Sequence, residues 1–270
     1  MPRFQKDEER PEMKKTVLTA ALLLSMAIPA WAEDAGHAVP SEEVLHKHWD
    51  YAGPETGASH WGELEAAFEA CKTGELQSPI NIESFYQGEL PALETAYSAV
   101  PLHVINNGHT IQVDLGDNAG TLNVAGKTYK LLQVHFHTPS EHYIDGSPYP
   151  MEAHLVHKAE DGTLAVVGVL MKVGAHNPVI EGIWQNAPVA GGEKMLETVS
   201  VSAADLLPES LEYYKYDGSL TTPPCSEGVQ WHVLKDPIEL SQAQLTAFQT
   251  VFPVNARPIQ DLNGRTVRGN

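Results

Sequence analysis

Gln133-Val134-His135-Phe136-His137 alternates polar and apolar residues with the period of two that belongs to a β-strand, so Gln133, His135 and His137 share one face and Val134 and Phe136 the other. Further along, Glu152-Ala153-His154-Leu155-Val156 repeats the device, with Glu152, His154 and Val156 pointing one way and Leu155 the other. If the two strands pair, three imidazoles converge. Three neutral imidazoles, with no cysteine and no obligatory carboxylate, suit a catalytic Zn²⁺, because the fourth tetrahedral position stays open for water. A metal-bound histidine usually gives its other ring N–H to an acceptor that fixes tautomer and orientation. Gln133 and Glu152, each two residues ahead of a ligand and on its face, are placed for that task. The chain has 13 histidines, most of them single and in polar context, where a surface or hydrogen-bonded residue is the ordinary reading; only this repeated pattern points to a metal.

Working outward, the segments 111–115, 121–124, 129–137, 152–158 and 164–173 are short, rich in β-branched or aromatic residues and bounded by Gly, Pro, Asn or Asp, and each reads as a strand. Helix signals are fewer. The segment 61–70 reads as one helix, and Ser241-Gln242-Ala243-Gln244 is a capping box opening a helix that runs to Phe252 and is ended by Pro253. No repeat of fixed period, low-complexity tract or long linker divides the chain. The expected fold is a single domain, mainly β with peripheral short helices, whose central, twisted, mostly antiparallel sheet carries the metal site.

At the N-terminus, Lys14 and Lys15 precede an apolar run at 17–28, then Pro29 and Ala30-Trp31-Ala32, which fits a small-x-small cleavage site. This is the pattern of a secretory signal peptide over residues 1–32, and the run is too short to span a bilayer as a helix. Met13 stands directly before the basic pair and offers an alternative translation start to Met1; the folded domain is expected at 33–270. The protein is expected to be exported, to the periplasm if the source is Gram-negative and otherwise to the medium. Among 270 residues, 17 Lys plus Arg stand against 35 Asp plus Glu, a formal net charge of −18. A field of that sign repels phosphate backbones and anionic lipid, so neither nucleic acid nor a membrane surface is an expected partner. Only two cysteines, Cys71 and Cys225, are present. In an oxidising compartment an even pair reads as a disulfide, with two buried thiols as the alternative. Closing so long a loop is worth up to about 5 kcal/mol.

Two loops carry further polar groups. Asn106-Asn107-Gly108-His109 is a turn followed by a histidine able to carry protons near neutral pH, although an isolated histidine is more often a plain surface residue. Ser219-Leu220-Thr221-Thr222-Pro223-Pro224-Cys225 joins a stiff di-proline to two hydroxyls and a cysteine, which suits a site that must hold a hydroxyl in place and would equally serve a structural loop.

These residues, in this order, resemble the α-class carbonic anhydrases over almost the whole mature chain. The resemblance rests on His48-Trp49-Asp50-Tyr51, His60-Trp61, Gln77-Ser78-Pro79-Ile80-Asn81-Ile82, the 106–109 turn, 133–137, Ser140-Glu141-His142, 152–157, 219–224, Val229-Gln230-Trp231 and Asn255-Ala256-Arg257-Pro258. It implies a zinc-dependent hydration of carbon dioxide to bicarbonate and a proton by attack of zinc-bound hydroxide, with activated esters as side substrates. One Zn²⁺ would be held by His135, His137 and His154, backed by Gln133, Glu152 and the backbone carbonyl of Asn255. Thr221 would accept a hydrogen bond from the hydroxide and donate its own proton to an ionised Glu141, its backbone N–H would contact the substrate oxygen, and Thr222 would line the product site. Val156, Val166, Leu220, Val229 and Trp231 would form the apolar wall for carbon dioxide. His109 would pass the proton to buffer, with Tyr51 and Asn107 ordering the water. Bacterial members share the short segment between His137 and His154, secreted members share the Cys71–Cys225 pairing, and a monomer or homodimer is implied. Asp50 stands where the family's N-terminal motif commonly has glycine.

Two rival readings use the same residues. His135-x-His137-x-x-x-Glu141 also fits a cupin-like oxygenase or isomerase with Glu141 as a ligand to iron or manganese, but the second half of that motif is missing and His154 would be idle. A non-enzymatic binding module of the same family usually lacks a metal ligand, and here all three are present.

Overall fold

A computed structural model describes residues 48–270. The expected leader and the first residues of the mature chain lie outside the described residues. The strands that matter for the site are β1 (Val100–Asn106), β2 (Ile111–Asp114), β3 (Lys127–His137), β4 (Met151–Lys158), β5 (Leu164–Val173), β6 (Gly192–Val201), β7 (Tyr213–Ser219) and β8 (Glu227–Leu234). They form the long central run of a 13-stranded sheet in the order β6-β1-β2-β3-β4-β5-β8-β7. Six of these seven pairings are antiparallel, and β5 with β8 is the parallel one. A parallel pair needs a crossover. Here α1 (Pro178–Asn186), β6 and β7 occupy the chain between β5 and β8. Among the described residues no helix is long and apolar enough to cross a membrane.

The pairing of β3 with β4 is antiparallel, with His135 opposite His154 and His137 opposite Glu152. That register puts both histidine-bearing faces on the same side of the sheet. Further back along β3 the register slips by one, so that Val156 faces Gln133 while His157 faces Leu131 and Leu132 has no partner on β4. The consequence is a change of face. Tyr129 and Leu131, which strict alternation would place beside the histidines, instead join Val134 and Phe136 in the main core. A β-bulge is the device that allows a strand to be polar on one face at one end and bury that parity of residues at the other.

The main core lies on the face opposite the histidines and is covered by α1 and α2 (Gln242–Val251). Asn177 caps α1 by accepting from the N–H groups of Val179 and Ile180, with Pro178 at the first helical position. Ser241 and Gln244 form the reciprocal capping box of α2. The ring of Trp184 meets Phe136 edge-on at 4.8 Å and lies 5.1 Å from Phe248, joining both helices to β3. A smaller cluster on the histidine side contains Val166, Val229 and Trp231, with Val156 and Leu220 packed against it. The segment 61–70 is not one helix. It breaks into Trp61–Leu64, Ala66–Phe68 and Ala70–Thr73, because Glu65 is extended (φ −146°, ψ 150°) and a residue in that conformation ends the i→i−4 ladder.

Two histidines outside the candidate site are buried in the sheet. Tyr97 Oη lies 2.7 Å from His157 Nε2, and His157 Nδ1 lies 3.3 Å from the Ala165 carbonyl. His232 packs against the Tyr213 ring, and neither of its ring nitrogens has a hydrogen-bond partner of ordinary geometry. Burial pushes His157 down to about 4, and burial with the Lys215 and His157 charges pushes His232 down to about 3. Both folded values lie below the unfolded value of about 6.5, so each histidine contributes stability that is complete above that pH. The contribution is lost as the pH falls toward the folded values, at a limiting slope of about 1.4 kcal/mol per pH unit per histidine. Denaturant unfolding at pH 7, 6 and 5 should therefore show a shallower loss of stability in His232→Leu than in the parent protein. Parallel pH dependences would show that His232 is not a neutral group forced to charge on unfolding.

Candidate metal centre

His135, His137 and His154 each offer a ring nitrogen, and the three lie within 4.8 Å of one another. The second nitrogen of each is held by a different acceptor. His135 Nδ1 is 2.8 Å from Gln133 Oε1, His137 Nδ1 is 2.8 Å from the Asn255 carbonyl, and His154 Nε2 is 3.0 Å from Glu152 Oε1. These bonds leave His135 Nε2, His137 Nε2 and His154 Nδ1 to face the common centre. Burial pulls all three pKa values down, His137 to about 4, and the neighbouring imidazoles add to the effect. They are therefore neutral at physiological pH, the state in which imidazole binds a metal.

The fit to a metal rests on His137. Its Nε2 is fully buried and has no hydrogen-bond partner, and an unsatisfied buried nitrogen costs about 1–3 kcal/mol. A cation shared with two other imidazoles removes that cost. An all-nitrogen set of three with an open position suits a tetrahedral ion. Glu141 is not part of this group among the described residues, its carboxylate lying 3.5 Å from His137 Nδ1 and 3.9 Å from His154 Nδ1. The arrangement of two histidines and Glu141 as ligands is therefore not what the chain builds.

Glu141 does something else. Its Oε1 accepts from the Arg257 backbone N–H at 2.8 Å, while Oε2 has no partner of ordinary geometry. Burial pushes its carboxyl up to about 7, opposed by His154, the Arg257 N–H and the Thr221 hydroxyl. Thr221, itself buried, lies beside this carboxylate, its hydroxyl favouring the ionised form. Thr221 follows the end of β7, and the turn after it is closed by the Cys225 N–H donating to the Thr222 carbonyl at 2.8 Å. Cys225 forms the disulfide with Cys71. The Gln77 amide donates to the Cys225 carbonyl at 3.1 Å, and the Arg257 guanidinium donates to Gln77 Oε1, the Ser78 carbonyl and the Cys71 carbonyl. The loop bearing Thr221 and the backbone that holds Glu141 are in this way anchored to one another.

Glu152 accepts four hydrogen bonds: from the backbone of Glu141 and His142 at 2.9 Å each, from His142 Nδ1 at 2.7 Å and from His154 Nε2. Burial raises its pKa, but His142 and His154 outweigh burial and hold it well below the usual carboxylate range. Beyond it, the Tyr216 hydroxyl bridges His142 Nε2 at 2.7 Å and Ser78 Oγ at 2.9 Å. Sequence reasoning assigned no role to His142, Tyr216, Ser78 or the Arg257 side chain. They come from remote segments; the only signal for His142, Ser78 and Arg257 was their presence in quoted motifs, and Tyr216 lies in none of them.

The apolar residues Val166, Val229 and Trp231 form one cluster with Val156 and Leu220 beside the histidines, the Trp231 ring 4.8 Å from that of His154. Thr222 is half-buried in the adjoining loop. Asn107 makes an Asx turn, its Oδ1 accepting from the N–H groups of His109 and Thr110. Asn255 ties this turn to the centre, since its Nδ2 donates to the His109 carbonyl and its own carbonyl accepts from His137. The His109 ring is stacked on Trp49 at 3.7 Å with planes 5° apart, and the His48 ring lies 5.5 Å away. Tyr51 is nearby, its pKa raised by burial and by the Glu141 charge.

A mixed, mainly antiparallel sheet carries three converging imidazoles on its central strands, backed by an amide, a carboxylate and a carbonyl, a donor set that could hold a metal ion. The family model for eukaryotic-type carbonic anhydrases matches residues 56–270, and the chain belongs to that family of enzymes. A carbonic anhydrase of Neisseria gonorrhoeae is 42% identical over 268 residues, 99% of each chain. One of Pectobacterium carotovorum is 42% identical over 94% of this chain and 99% of its own. The solved α-carbonic anhydrase of Thermovibrio ammonificans, in complex with the inhibitor sulfanilamide, superposes with a TM-score of 0.79 at 45% identity, covering 82% of this chain and 98% of that one.

Proposed function

We propose that the chain catalyses the reversible hydration of carbon dioxide to bicarbonate and a proton, with one Zn²⁺ held by His135, His137 and His154. The observation that carries this reading is the convergence of three neutral imidazole nitrogens, on a half-buried His135 and buried His137 and His154, beside the Glu141–Thr221 pair. Family membership and the names of the relatives support it. Bound there, zinc is a Lewis acid that makes water acidic enough to act as a nucleophile near neutral pH.

The chain's own residues direct that chemistry. Glu141 as carboxylate accepts the Thr221 proton, which leaves the Thr221 oxygen as acceptor toward the nucleophile and aims a lone pair at the substrate. The Thr221 backbone N–H steadies the substrate oxygen, and Thr222 borders the departing bicarbonate. Val156, Val166, Leu220, Val229 and Trp231 offer an uncharged molecule the apolar surface it prefers to water. Gln133, Glu152 and the Asn255 carbonyl keep the three imidazoles in the required tautomers. Activated esters would be attacked at the same site. Residues 1–32 are proposed to be a leader removed on export, which agrees with the Cys71–Cys225 disulfide.

The proton released each turn must leave, and His109 is proposed as its carrier, with Tyr51 and Asn107 ordering the intervening water. Burial, then the His48 charge, lowers its pKa, with Asp50 opposing, so His109 releases protons more readily than a free imidazole. His109→Ala should slow turnover at least about tenfold in dilute buffer, the rate returning with added imidazole while kcat/KM stays unchanged. An unaltered rate in dilute buffer would remove His109 from this role.

A further inference from the structure

The chain contains two Asn-Gly dipeptides, Asn107-Gly108 and Asn263-Gly264, and the structure treats them oppositely. In this dipeptide the glycine backbone nitrogen can attack the asparagine side-chain carbonyl, because glycine has no side chain to obstruct it. The reaction needs that nitrogen free and the side chain able to turn toward it. Neither glycine is crowded, a Cβ on either one meeting nothing within 4 Å, so space does not distinguish the two sites. Hydrogen bonding does.

At Asn107 both reacting groups are tied. The side-chain oxygen accepts from His109 N–H at 2.9 Å and from Thr110 N–H at 3.0 Å, and the Gly108 N–H donates to Asn106 Oδ1 at 3.1 Å. At Asn263 the side chain is exposed, and its single bond is from Nδ2 to the Glu75 carbonyl at 2.9 Å. Among the described residues the Gly264 N–H has no partner. Asn263 and Gly264 sit at φ +48° and +75° in the tight turn closed by the Arg265 N–H on the Leu262 carbonyl, a left-handed pair that asparagine and glycine adopt readily.

We propose that Asn263 is a site of spontaneous covalent modification by water, a deamidation from which Asn107 is protected. Gly264 N bonds to Asn263 Cγ, the Cγ–Nδ2 bond breaks, and ammonia leaves with the proton from the Gly264 nitrogen, giving a five-membered imide. Water then adds at one imide carbonyl. Cleavage of the new bond gives aspartate, and cleavage of the original peptide bond gives isoaspartate, with one extra methylene in the main chain. Either product loses the donor to Glu75 and gains one negative charge. The segment held by this turn, through Asn263 on Glu75 and Arg265 on Gln77 at 2.7 Å, is also the one whose Gln77 bonds Cys225 and Arg257. Modification loosens that clamp.

The test is to age the folded, disulfide-bonded full chain at mildly alkaline pH in heavy-oxygen water and to follow both peptides by mass spectrometry. Asn263 should convert to a pair of isomeric acids carrying one heavy oxygen, at least about tenfold faster than Asn107, whose reaction must first break three net hydrogen bonds. After reduction and unfolding in denaturant the two sites should react at similar rates, and Asn263→Gln should not form the product. An Asn263 that stays an amide in the folded chain while reacting in the unfolded one would overturn the proposal. So would folded-state rates at Asn107 equal to or above those at Asn263.

Discussion

His137→Ala should remove both the bound zinc and the hydration activity. The other ligands remain, but the substitution deletes one of the three nitrogen donors. It also deletes the one ligand nitrogen that is buried without any other partner. The expected result is zinc content near zero after dialysis and a rate at the uncatalysed background. Because the histidine is buried, the same sample should be checked by far-ultraviolet circular dichroism. A folded protein that keeps stoichiometric zinc, or its parental rate, would contradict the ligand assignment.

Glu141→Gln should leave zinc bound and lower kcat/KM by about 10- to 100-fold, the usual cost of disturbing a partner that orients groups around a metal. The side chain keeps its shape, and its oxygen can still accept from the Arg257 N–H as Oε1 does now. Its amide would then meet the Thr221 hydroxyl with a donor where an acceptor stood. Thr221 can no longer donate to it, so its oxygen is not held as an acceptor toward the nucleophile. Burial raises the Glu141 carboxyl to about 7, and a divalent cation among the three adjacent imidazoles would hold it ionised. Unchanged kcat/KM with full zinc would show that the Thr221–Glu141 bond has no part in the reaction.

The convergence of the three histidines was legible because these residues obey a local rule. Two imidazoles on one strand face, a third on the next, and Gln133 and Glu152 each two residues earlier all follow from the period of two, and β3 and β4 pair in the register that aligns them. The α2 capping box was legible for the same reason, since Ser241 and Gln244 lie within one turn. What was not legible depends on distant contacts. The Tyr216–His142–Glu152 chain joins β7 to β4 through a loop residue, and the Arg257 anchor reaches Cys71, Gln77 and Ser78 from the far end of the chain. The bulge at Leu132 changes which residues of β3 face the core, although 129–137 reads as one uninterrupted strand. The edge strand β6 is mostly exposed, and its polar side chains carry none of the apolar alternation that marks a half-buried strand. In 61–70, helix formers such as Leu64, Ala66 and Ala67 hide the extended Glu65 that divides the segment.

The most direct test of the central claim is a zinc titration of the metal-stripped protein, with carbon dioxide hydration followed by stopped flow at each addition. The account predicts a rate near background without metal, a linear rise, and a sharp break at one zinc per chain. A fast rate in the stripped protein, or no hydration once one zinc per chain is bound, would contradict it.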